Sequence, residues 1–270
     1  MDHEVWGSNL HSHLIRSCRI MAITRDFGSR NFSSTLNKTS MRHKTIKIKL
    51  NRPMPESIKM VLEDKRVQSI ERIRKARIRI IDEIIQPINA LERQIVNDPE
   101  FIEGAFYGKP RKGHPEGIVI NHIGDVLKNI SMLVLEPDVR ERLRLIAIIH
   151  DTFKFKVDRS KKKIGNNHHS RIAKQFATKY ITDPVVLQII ELHDDAYTAW
   201  LHFTSDDPDK HKHSRGSNEA VELIRKLGDN LSLYYLFYTC DNNTGDKTND
   251  PLFWFAQQML NYELLYRKKK

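Results

Sequence analysis

Six histidines and aspartates interrupt the apolar faces of successive predicted helices: His122, His150, Asp151, His169, His193 and Asp241. His122 shares its stripe with Val119, Val126 and Leu133, and His150 follows Leu143, Ile146 and Ala147. His169 leads Ile172, Ala173 and Phe176; His193 follows Val186, Ile189 and Ile190; Asp241 follows Tyr234 and Phe237. A polar or charged group on an apolar helical face is costly unless something pairs with it. One such residue has many explanations. Six of them on five helices point to a divalent metal held inside a helical bundle. Neighbouring helical residues point about 100° apart, so the adjacent His150 and Asp151 can both reach one ion in a groove between helices. Imidazole and carboxylate together suit Mn, Fe, Co, Mg or Zn, and this donor set does not choose among them.

A His-Asp dipeptide alone is a weak signal. It gains weight from His122 upstream in NHIGDVLKNI and from Asp241 downstream in YTCDNNTGDK. The order H…HD…H…H…D on successive helices resembles the HD superfamily of metal-dependent phosphohydrolases, over a stretch from about Gly113 to Asp250. The passages GHPEG (113–117), HDTFK (150–154), ELHDDAY (191–197) and CDNNTGDK (240–247) are similar to an uncharacterised bacterial branch of it. The resemblance implies an HD-like bundle in which His122, His150, Asp151 and Asp241 hold one ion. It further implies that His169 and His193 serve a second ion, with Asp151 bridging the two. It brings chemistry without substrate specificity.

That chemistry is hydrolysis of a phosphate ester. A bound divalent ion supplies hydroxide near neutral pH and polarises a phosphoryl oxygen, and two ions clamp the attacking and leaving oxygens. Positive charge is still needed against the equatorial oxygens. Lys154, one turn after His150, leads the candidates and joins Asp151 as a catalytic residue. Lys247 follows, then Lys109, Arg111 and Lys112 in the loop before the His122 helix, for which a solvated surface role is the plainer reading. His114, eight residues before His122, could reach the mouth of the site, although turn histidines are usually structural. Of the pair His168 and His169, the second shares the buried stripe and the first suits a helix start. Asp194 either orients His193 or faces solvent. Tyr197 and Trp200 could stack on a base, but aromatics at helical spacing are more often core. Cys240 reads as a small buried apolar residue.

These side chains need helices to carry them, and the chain is all-α from about Glu56 onward, as an HD-domain-like bundle with the metal centre between helices. Residues 56–96 read as one long helix or two, with a kink or break at Pro87. Asn97-Asp98-Pro99 punctuates, and 104–117 is a Gly/Pro/Lys loop. Helices follow at about 118–135, 139–155, 168–180, 184–202, 217–227, 229–241 and 251–266. The polar stretch from His202 through His211 and His213 reads as an exposed loop, a flexible lid over the pocket. Domain limits follow: a basic, low-order extension over 1–55, a helical region packing on the core over 56–112, the metal-binding helical domain over 113–266, and a basic tail over 267–270.

The extension has one acid, Asp26, against nine basic residues between Val5 and Lys49. It lacks the periodicity to fold alone, apart from a short strand predicted at 45–50. Its composition also fits a transit peptide, though Asp2 and Glu4 and the lack of an amphipathic helix argue against organellar targeting. The whole chain carries +11, from 45 Lys and Arg against 34 Asp and Glu. That excess favours anionic partners. Cys18 and Cys240 stand too far apart for a disulfide framework and fit a reducing, cytoplasmic compartment. No run has the apolar length of a membrane span. The leading expectation is a metal-dependent phosphohydrolase acting on a nucleotide or related phosphorylated small molecule. A cyclic- or dinucleotide phosphodiesterase is the first alternative. A nucleic-acid-binding protein with a structural metal is the second, motivated by the basic extension and the Lys65–Arg79 run as a weak nucleic-acid surface. Composition leaves the oligomeric state open.

Overall fold

Prolines and polar caps decide where the helices start and stop. The computed structural model describes residues 56–205 and 212–266, which form helices joined by loops; between helices only the isolated bridges Gly108–Ile118 and Arg111–His114 pair backbone in extended form. The all-α expectation holds. The predicted strand at 45–50, the whole 1–55 extension and the 267–270 tail lie outside the described residues. None of the described helices is long and apolar enough to cross a membrane.

Helix α1 runs over Glu56–Ile85. Pro87 ends it, because the residue before a proline is driven out of the α region, and Gln86 takes a left-handed φ of 49°. Asn89 then caps α2 (Ala90–Asn97) by accepting from Glu92 N at 2.9 Å. Asp98 caps α3 (Pro99–Ala105), whose first position is a proline that gives up no needed donor there. The break between α1 and α2 is locked by a buried ion pair. Arg144 donates to the fully buried Glu92 carboxylate from Nε and Nη2 at 2.8 Å each, and Nη2 also reaches the carbonyls of Ile85 and Gln86 at 3.1 and 3.3 Å.

The chain divides into two compact units, Met1–Lys75 and Ala76–Lys270. In the first, the described segment is the opening part of α1. Its Ile70 and Ile73 are more than half exposed. Its charges pair along the helix, Glu63 with Arg66 and Glu71 with Lys75, each at 3.9 Å, as on a solvated face.

The second unit holds α4 (Val119–Ser131), α5 (Pro137–Ile149), α6 (His169–Ala177), α7 (Pro184–Leu192), α8 (Asp195–Thr204), α9 (Lys212–Leu227), α10 (Leu231–Asn242) and α11 (Asp250–Tyr266). Helix α5 is the central element and packs against α4, α7 and α10. Its Leu143, Ile146, Ala147 and Ile149 have no exposed surface. Each fully buried Leu or Ile contributes about 1.5–3 kcal/mol, so the helix that ends in His150 is firmly anchored in the fold.

Three expected helices differ most in their limits. The one expected over 139–155 ends at Ile149 and gives way, past His150 and Asp151, to a 3-10 helix over Thr152–Lys156. The one expected over 184–202 is two helices, α7 and α8, broken at His193 and Asp194. Neither proline nor glycine marks that break. Tyr234 makes it instead: its hydroxyl accepts from Ala196 N and donates to His193 O, both at 3.2 Å, replacing the helical bonds lost there. The helix expected over 217–227 begins at Lys212, and α3 extends through Gly104 and Ala105 into the expected loop. His202 belongs to α8 rather than to a loop, and its Nδ1 meets Glu219 Oε2 at 2.6 Å.

Candidate metal centre

The six singled-out side chains arrive at one point from five places in the bundle. His122 faces inward from the first turns of α4. His150 closes α5, Asp151 follows it in the turn to the 3-10 helix, His169 opens α6, His193 closes α7, and Asp241 sits near the end of α10. His122, His150, Asp151, His169 and His193 are all buried. His122 Nε2 lies 3.2 Å from His150 Nε2, 3.0 Å from Asp241 Oδ1 and 3.7 Å from Asp151 Oδ2. His150 Nε2 is 3.7 Å from that same oxygen and 3.9 Å from Asp241 Oδ1. The other oxygen of Asp151, Oδ1, faces a second pair, His169 Nε2 at 3.3 Å and His193 Nε2 at 3.5 Å, themselves 3.1 Å apart. One carboxylate thus looks into two donor clusters at once.

The donor chemistry fits divalent cations. His150 Nδ1 is 2.9 Å from Ala147 O and His193 Nδ1 is 2.8 Å from Ile190 O, so each ring donates backward and leaves a lone pair on Nε2. Lone pairs and carboxylates gathered in a buried space repel one another unless a cation lies among them. Ligand atoms about 2.0–2.2 Å from one ion stand about 3–3.5 Å from each other, close to the spacings here. His122 is supported from behind by Glu116 Oε1 at 3.6 Å and Thr244 Oγ1 at 3.3 Å from its Nδ1.

The local electrostatics run in the same sense. Burial works against ionisation of Asp151, but Lys154 and the surrounding histidines outweigh it and hold the carboxyl well below its ordinary range. Asp241 is held low in the same way, chiefly by Lys247 and then His122. Burial drives the His150 pKa down to about 3, keeping the ring neutral. Burial also lowers His193, but Asp194 and Asp151 together lift it to about 9.

A cleft of about 580 Å³ opens over these clusters. Lys154, Lys247, Arg111, Lys112 and His114 all line it, whereas Lys109 is not among its lining residues. Lys154 Nζ pairs with Asp151, and burial notwithstanding, Asp151 and Asp194 keep its ammonium firmly charged. Lys247 Nζ donates to Asp241 O at 2.9 Å and Oδ1 at 3.1 Å. The loop bearing Lys247 is seated against the 113–117 turn. A Cβ on Gly245, which has φ +60°, would stand 2.9 Å from Gly113 O and 3.1 Å from Glu116 Oε2. His114 Nδ1 meets Glu116 Oε1 at 2.9 Å, which ties that turn to the carboxylate behind His122. His168 caps α6, its Nδ1 accepting from Ser170 N at 3.4 Å, as suits a helix start.

Three placements were not legible. Asp194 is part-exposed at the cleft yet turned to the histidines: its Oδ2 is 3.2 Å from His169 Nε2 and its Oδ1 3.7 Å from His193 Nε2, so it joins the second cluster across the helix break. Glu116 and Thr244 stand in the motifs GHPEG and CDNNTGDK, yet nothing in their spacing tells them from surface residues. Tyr197 and Trp200 are not core. Tyr197 is 42% exposed, the two rings lie 5.6 Å apart at 30°, and both face the cleft. Cys240 is buried, its thiol pushed up to about 12 by burial and Asp241, which leaves it inert as expected.

Residues 119–232 match the family model described as HD domain. The match spans His122, His150, Asp151, His169 and His193, and Asp241 lies beyond its end. No curated protein and no solved structure matches the chain.

Proposed function

We propose that this chain, whose residues 119–232 match the family model described as HD domain, is a metal-dependent phosphohydrolase that hydrolyses a phosphate ester of a nucleotide or related small molecule. The observation that carries the reading is the position of Asp151, whose two oxygens face two separate histidine pairs at the floor of a basic cleft. His122, His150, Asp151 and Asp241 would hold one divalent ion; Asp151, His169, His193 and Asp194 would hold a second. A bound ion would supply hydroxide near neutral pH and polarise the phosphoryl group.

The remaining work falls to the protein. Lys154 and Lys247 each lean on a carboxylate that an ion would otherwise neutralise, so both ammonium groups are placed to turn toward phosphoryl oxygens over the same floor. Arg111 and Lys112 extend positive charge to the rim and draw an anionic substrate inward. Tyr197 and Trp200 give the cleft an aromatic wall on which a planar base can stack, and this favours a nucleotide over a bare sugar phosphate.

The test is a screen of nucleoside and sugar phosphates for phosphate release with Mn²⁺, Co²⁺, Fe²⁺ and Mg²⁺. Metal-dependent release is expected, with nucleotides ahead of ribose 5-phosphate and with Lys154→Ala about 10²–10³-fold slower in kcat. No release from any ester with any of these metals would end the phosphohydrolase reading.

A further inference from the structure

Arg159 and Lys163 line the same cleft as the donor clusters, yet hydrolysis of a simple phosphate ester gives neither of them a task. Both side chains are exposed, and among the described residues neither forms an ion pair, whereas Lys161 between them meets Asp158 at 3.2 Å. The loop that carries them is stapled from within. Asn167 accepts from Asp158 N at 2.9 Å and donates to Asp158 O at 2.9 Å and Lys162 O at 3.0 Å. Asp158 Oδ1 in turn accepts from Ser160 N and Oγ at 2.9 and 2.6 Å. Arg159 Nη2 donates to Tyr107 Oη, and Tyr107 also lines the cleft. That partner is neutral, so it aligns the guanidinium without cancelling its charge. Tyr107 is itself fixed, its carbonyl accepting from Val119 N at 3.0 Å at the start of the helix that bears His122.

The acids that line the cleft, Asp151, Asp194 and Asp241, all belong to the donor clusters, where bound ions would offset them. Lys154 and Lys247 would meet the phosphoryl group being cleaved. A single phosphate ester therefore leaves Arg159 and Lys163 without a counter-charge. At about 580 Å³ the cleft has room for more, since pockets of roughly 300–1,000 Å³ enclose ligands of drug size. A planar guanidinium with a free fork is suited to phosphate oxygens, and a neighbouring ammonium adds a point charge. We infer that Arg159 and Lys163 form a second anion subsite, which takes a phosphate group of the substrate other than the one cleaved. The substrate class is then a nucleotide with more than one phosphate, joined in a chain or carried on separate hydroxyls. This rests on the phosphohydrolase reading and narrows its substrate.

The test compares full-length, metal-loaded wild type with the double variant Arg159→Gln/Lys163→Gln at one ionic strength, because salt alone screens exposed charges. The substrates are the 5′-monophosphate, 5′-diphosphate and 3′,5′-bisphosphate of the best-hydrolysed nucleoside. Wild type should favour one of the doubly phosphorylated esters in kcat/KM, and which one it favours tells a chain from separate phosphates. The ratio over the monophosphate should fall about 10-fold or more in the variant, the loss expected for hydrogen bonds to a charged group. Metal content and Tm should match wild type, since both side chains are exposed. A wild type indifferent to the second phosphate would overturn the inference, as would a smaller fall in the ratio or loss of metal from the variant. A wild type that hydrolyses no ester would count against the proposed function alone. Calorimetry of the Mn²⁺-loaded proteins with AMP, ADP and adenosine 3′,5′-bisphosphate would then decide the subsite, and the same affinity ratios in both proteins would overturn it.

Discussion

Asp194 follows His193 directly, yet it reaches His169 more closely than its neighbour, because the backbone turns between α7 and α8. The turn converts a surface acid into a member of the second donor cluster, and this is why that cluster has two carboxylates for two imidazoles. If both clusters bind, wild type retains two equivalents of metal and His193→Ala retains one, as read by elemental analysis after desalting. Unchanged stoichiometry in His193→Ala would return His193 to a hydrogen-bonded core histidine. At this scale the inward-facing histidines were legible, since a polar residue on an apolar stripe is visible in periodicity alone. Glu116 and Thr244 were not. Thr244 reaches His122 from an element distant in sequence, and Glu116 meets it across a turn, and no local pattern records either contact.

The same division holds for the helices. The break at Pro87 could be foreseen because it is written in local chemistry. The break after His193 could not, since it depends on a hydroxyl from α10, and the early end of α5 carries no breaker either. What accommodates the turn after α5 is a close approach from α3. A Cβ on Gly104 would stand 2.0 Å from Thr152 O and 3.0 Å from the Phe155 ring. Thr152 follows Asp151 and is itself tied back by Oγ1 to Ile148 O at 2.9 Å, so the backbone there has little room to yield. Gly104→Ala should therefore destabilise the fold by about 1–3 kcal/mol and weaken metal retention together, because the displaced turn carries Asp151. Thermal denaturation with parallel metal analysis checks both. An unchanged Tm would mean that the α3 contact relaxes freely and does not position the turn.

Across the whole molecule, stability and chemistry meet in α5. Its buried face anchors the bundle, its Arg144 locks the joint between α1 and α2 through Glu92, and its C-terminus delivers His150 and Asp151 to the floor of the cleft. Basic residues gather at the rim, while the acids of the cleft stand at its floor, where cations would neutralise them. The account therefore turns on Asp151 as the residue shared by both clusters. The measurement that tests it most directly is the metal content of purified wild type and Asp151→Ala, with circular dichroism on the same samples. Two equivalents of divalent metal in wild type and almost none in the variant, at nearly unchanged helicity, is the predicted result. An Asp151→Ala protein that still holds stoichiometric metal would contradict the account.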